Sequence, residues 1–179
     1  VIFSLFRKDE RRVTIGTLYT RVAEASRGAG LYLALGVPDT LEGRFESLSL
    51  HMILVLRALR RLPPPADDVA ADLTDALFSD LDAALREMGV GDTTVPKRMK
   101  TMASAFYGRA QAYDAPLDSG DEAALALALA KNVTADDQPA TALARYALAA
   151  DSLLKTADLD TILKQGPAFP QAETFKEGA

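Results

Sequence analysis

The stretch from Asp80 to Tyr113, DLDAALREMGVGDTTVPKRMKTMASAFYGRAQAY, decides the fold. It closes an amphipathic pattern in which Leu73, Leu77, Leu81, Ala84, Leu85 and Met88 recur at helical spacing, with Asp68, Asp72, Asp75 and Asp82 opposite. Gly89 and Gly91 take positive φ at little cost, so the chain is expected to reverse between Gly89 and Asp92. Pro96 suits the first turn of the next helix, where a missing N–H has no helical acceptor, and Thr93 or Thr94 is placed to cap it. The reading is a helical hairpin: an acidic helix, a glycine hinge and a helix that opens on Lys97-Arg98-Met99-Lys100. Gly-Val-Gly-Asp lacks the glycine spacing and the Lys-Ser/Thr ending of a phosphate loop.

The second helix of the hairpin, from about Val95 to Tyr113, has three surfaces at 100° per residue. Met99, Met102, Ala103, Phe106, Ala110 and Tyr113 form an apolar face; Arg98 and Arg109 share one flank, and Lys100 and Tyr107 the other. Thr101, Ser104, Ala105, Gly108 and Ala112 line the back, small enough for another helix to come close or for ordinary packing within a bundle. Methionines adapt to varied apolar surfaces, and cations at a helix N-terminus are mildly unfavourable until an acidic group meets them. The candidate partner-binding residues are therefore Lys97, Arg98, Met99, Lys100, Met102, Phe106, Tyr107 and Arg109. Asp80 and Glu87 share the margin of the preceding helix, but seven residues separate them by about 10 Å. That suits structural ion pairs with Arg98 or Arg109 better than paired acid–base chemistry.

Working outward, helical spacing predicts further helices over 14–27, from Asp39 to the prolines Pro63-Pro64-Pro65, from Asp67 or Asp68 to Met88, from Ser119 to about Asn132, and from near Asp137. A short segment follows at Leu159 to Leu163. The helix after Asp39 is apolar on nearly every side between Phe45 and Leu59 and is expected at the centre of a bundle. His51 lies on it and reads as a partly buried, hydrogen-bonded side chain. The fold class is all-α: one compact bundle of about six to eight helices, with an N-terminal apolar and basic segment at 1–13, the helical domain at 14–165 and a mobile C-terminal tail at 166–179.

Composition narrows the chemistry. The chain has 179 residues, 49% apolar and 25% charged, with no cysteine and one histidine. Thiol chemistry, Cys-ligated metals and His clusters are thereby excluded, and no motif predicts a cofactor. The net charge of −5 hides a block pattern: residues 62–93 hold one Lys/Arg against eight Asp/Glu, and 94–113 hold four against none. Such a chain suits specific protein or membrane-surface contact better than recognition of nucleic-acid sequence. No apolar run reaches the roughly 20 residues that span a bilayer. The opening VIFSLF precedes its basic run, the reverse of a signal peptide, although residues 1–12 could touch a membrane surface.

Four strings carry a resemblance. They are Gly36-Val37-Pro38-Asp39-Thr40 with Gly43-Arg44-Phe45, Leu85 to Asp92, Val95 to Lys100, and Ala105 to Arg109 with Ala112-Tyr113. In this order they resemble the ubiquinol–cytochrome c chaperone family, assembly factors for the cytochrome bc1 complex. The resemblance runs from about Tyr19 to Tyr113 and is loose elsewhere. It implies a non-enzymatic chaperone that holds newly made cytochrome b. For mitochondrial relatives it also implies a small partner protein and proximity to the ribosomal exit. With no mitochondrial targeting segment, the chain is similar to bacterial members acting in the cytoplasm beside the inner membrane. Two other classes are distinguishable: an enzyme needs His51, Asp80, Glu87 and Tyr107 to converge in a pocket, and a membrane-surface adaptor needs residues 1–12.

Overall fold

The third helix of the chain is buried along almost its whole length, and the others are arranged around it. The computed structural model describes residues 8–134 and 140–176, all of whose regular structure is helical. Helices α1 (Lys8–Ala25) and α2 (Ala29–Leu33) lead into α3 (Leu41–Arg60), followed by α4 (Ala66–Glu87) and α5 (Val95–Ser119). Helix α6 (Glu122–Leu129) runs into a π-helical turn (Ala130–Thr134); α7 (Thr141–Lys155), α8 (Leu159–Lys164) and a 3₁₀ turn (Ala172–Phe175) complete the chain.

Every residue of α3 from Glu46 to Leu59 is buried, and α3 packs against α1, α4, α5, α7 and the π-helical turn. This is the expected consequence of an apolar stretch with no polar side. Thr40, one residue beyond the expected Asp39, caps α3 by accepting from the Gly43 N–H at 3.0 Å. Gly43 is required there because a Cβ would lie 2.0 Å from the Pro38 carbonyl oxygen. The hairpin forms as its glycines predict: Gly89 has φ 79°, and α4 and α5 pack against each other.

Three boundaries differ from the sequence reading. Helix α1 starts at Lys8 rather than Thr14, and Arg11 on its first turns pairs with Asp72 of α4. Helix α5 continues six residues beyond Tyr113, through Pro116, to a left-handed Gly120 (φ 69°). Burial of Leu117 and the grip of Arg57 on Asp114 and Asp118 outweigh the backbone hydrogen bond that a proline cannot make. Helix α6 is consequently capped by Asp121, which accepts from the Ala124 N–H, and not by Ser119, which lies in α5. The expected start near Asp137 and residues 1–7 lie outside the described residues.

His51 is fully buried, a stronger version of the expectation. Its Nδ1 is 2.7 Å from the Ser47 carbonyl oxygen and its Nε2 is 2.7 Å from the Tyr146 hydroxyl. The Phe169 ring lies 4.8 Å away, so part of the segment expected as a tail packs on this histidine. Ala172 is buried, and the 3₁₀ turn docks against α2 and α7. No helix among the described residues is long and apolar enough to cross a membrane.

Candidate protein-binding site

Helix α5 presents its three surfaces to three environments. Phe106, 1% exposed, belongs to the core, where its ring meets Phe78 of α4 edge-on at 5.9 Å. The expectation that Phe106 offers itself to a partner is therefore corrected: its face is the one that docks α5 onto the bundle. Met99 and Met102 are half-buried at the margin of the same core. Tyr107 is 53% exposed beside Phe78 and Phe106, and Met88 at the end of α4 is also exposed. Lys97, Arg98 and Lys100 are exposed and have no carboxylate partner among the described residues.

Arg109 is not an exposed anchor. It forms a bidentate pair with Glu46 of α3, Nη2 donating to Oε1 at 2.5 Å, and its Nη1 donates to the Ala105 carbonyl. Burial raises the Glu46 carboxyl above its ordinary range, and the guanidinium partly offsets that. The pairing expected between α4 and α5 is replaced accordingly. Asp80 accepts a hydrogen bond from the Tyr19 hydroxyl of α1 at 2.6 Å, and Glu87 is exposed with no cationic partner among the described residues. Within the hairpin the bridge is instead Arg86, which donates to Asp82 and to Asp92 at 2.6 Å each. His51, Asp80 and Tyr107 thus each face different neighbours and form no common pocket.

The small-residue side of α5 is open. Thr101, Ser104, Ala105, Gly108 and Ala112 form one wall of a groove of about 750 Å³, with Lys100 and Arg109. The other wall is Ala128 of α6 with Lys131 and Asn132 of the π-helical turn. Sequence reasoning found the first wall from helical angles but missed the second, because a π-helical insertion has no distinct residue pattern.

It also missed the ion network that fixes the far end of α5. Arg57, 5% exposed, reaches Asp114, Asp118 at 2.6 Å and Asp151 of α7 at 3.5 Å. Asp151 also accepts from Arg61 at 3.1 Å and Lys155 at 2.8 Å. Burial, the largest influence, pushes the Asp151 carboxyl up, and the bonds from Lys155 and Arg61 together hold it below the usual range. An arginine within an otherwise apolar central helix was the available signal, since a buried guanidinium needs carboxylates.

The sequence model of the ubiquinol-cytochrome C chaperones matches residues 33–169, from α2 to the segment before the 3₁₀ turn. The chain belongs to the ubiquinol-cytochrome c chaperone family. Membership extends the resemblance past Tyr113 through α6, α7 and α8. The crystal structure of the Cbp3 homolog from Brucella abortus is similar to this ubiquinol-cytochrome c chaperone at 35% identity and a TM-score of 0.83, over 97% of this chain and 98% of that one. No curated protein matches it significantly. The four strings now have structural reasons in this chaperone family member: the Gly43 approach to Pro38, the Gly89 hinge, the α5 start and the α5 small-residue wall.

Proposed function

We propose that this chain holds newly made cytochrome b and supports assembly of the cytochrome bc1 complex, acting at the cytoplasmic side of the inner membrane. The observation that carries the proposal is the family match over residues 33–169. The exposed surface of the hairpin supports it. Lys97, Arg98 and Lys100, which no carboxylate of the described residues meets, offer positive charge on the helix that also carries Tyr107 and the half-buried Met99 and Met102. A client with apolar transmembrane helices and polar loops is met by adaptable apolar side chains next to charge. Phe106 and Arg109 contribute from beneath, by holding α5 in place.

The test changes Lys97, Arg98 and Lys100 together to Glu and measures assembled bc1 complex in membranes. The expected outcome is loss of assembled complex with an unchanged melting temperature, because these exposed side chains make no ion pair with the other described residues. Normal assembly by the folded variant would sink the reading.

A further inference from the structure

The groove between α5 and the π-helical turn is a second surface, which shares only Lys100 with the exposed hairpin cations. Its long wall runs from Thr101 to Ala112, about 16 Å or three helical turns. Ser104, Gly108 and Ala112 recur every four residues along it, the spacing that lets two helix backbones approach closely. Gly108 is informative because the bundle does not require it. Glycine disfavours a helix interior, yet a Cβ here would meet no atom within 4 Å. Packing among the described residues therefore does not account for the small side chain at this position.

Two further observations point to a ligand. Tyr113, 1% exposed, has no hydrogen-bond partner for its hydroxyl among the described residues, and Asn132 of the groove wall is one of the groups near it. The Asn132 amide nitrogen donates to the Ala128 carbonyl at 2.8 Å, and its oxygen has no partner among the described residues. Lys100 and Lys131 stand on opposite walls without carboxylate partners among the described residues, whereas the charge of Arg109 is taken by Glu46. The groove therefore has a small, close-approach floor between two lysines that no carboxylate of the described residues meets.

We infer that this groove receives one α-helix of a protein partner, with small residues on the helix face that meets Gly108 and carboxylates on its flanks that meet Lys100 and Lys131. The inference deepens the chaperone reading and rests on it for the partner being a protein. Close approach supplies the packing, and the two lysines fix the orientation of the incoming helix.

The test uses the full chain and a fluorescent synthetic helix about four turns long, alanine and serine on one face with flanking glutamates, against a control with lysines for glutamates. The glutamate helix is expected to bind and the lysine helix not. Gly108→Leu is expected to weaken binding by about tenfold or more, and Lys131→Glu, which leaves the hairpin cations untouched, to weaken it severalfold. The melting temperature of Gly108→Leu should equal or exceed that of the unaltered chain, which separates lost binding from lost folding. Failure of the glutamate helix to bind, equal binding by Gly108→Leu, or equal binding of the lysine helix would each overturn the inference. So would self-association of the chain abolished by Gly108→Leu, which would assign the groove to a second copy. Cytochrome b capture is measured in parallel: its absence with peptide binding intact counts against the client and leaves the groove standing.

Discussion

Asp151 is the buried carboxylate of the network, and three cations, Arg57, Arg61 and Lys155, converge on it. Asp151→Asn should cost about 1–3 kcal/mol in urea unfolding, the range for weakening a buried, charge-assisted hydrogen-bond set, since Arg57 keeps Asp114 and Asp118. Asp118→Asn, at an exposed partner of the same arginine, should cost distinctly less. His51 gives a pH signature. Burial, partly opposed by the Ser47 carbonyl, lowers its pKa from 6.5 to about 4. The unfolded chain therefore takes up a proton that the folded chain refuses between those values, and stability falls as pH drops through that window. The loss is about 3 kcal/mol in full. Urea midpoints measured from pH 7 to pH 4 should show it for the native chain, and His51→Gln should lack that component. Sequence reading placed His51 in contact with the core from its position on an apolar helix. It had no means of finding Tyr146, 95 residues away, or Phe169.

Two glycines on two helices make opposite predictions at the scale of the element. Gly43→Ala drives a Cβ into the Pro38 backbone, a contact that no rotamer relieves, and should destabilise by about 3 kcal/mol. Gly108→Ala places a methyl in open space on α5 and should stabilise by about 0.5–1 kcal/mol. Thermal unfolding of both variants checks the pair of signs. The hairpin was legible because its signals are local: Gly89, Pro96 and two apolar stripes of period 3.6. The end of α5 was not, since Pro116 reads locally as a breaker and only the distant Arg57 and the burial of Leu117 keep the helix going. The same holds for the partners of Asp80 and Arg109, where helical angles gave the correct flank but not which neighbouring helix faces it.

For the whole molecule, α3 was legible as the central helix because burial on all sides leaves no polar stripe, and an all-helical bundle followed from the repeated 3.6-residue period. The site divides into what supports and what is offered: Phe106 and Arg109 anchor α5, while Lys97, Arg98, Lys100 and Tyr107 remain exposed on its surface. That division could not be read from α5 alone, because whether Phe106 is core or contact depends on where Phe78 of α4 sits. It leads to a direct test of the central claim, that this chaperone family member takes cytochrome b as its client. Cytochrome b freshly synthesised in a cell-free system is captured on the immobilised full chain and on the variant with Lys97, Arg98 and Lys100 changed to Glu. The account predicts retention by the native chain and marked loss on the folded variant; a native chain that retains no more cytochrome b than an unrelated helical protein would contradict it.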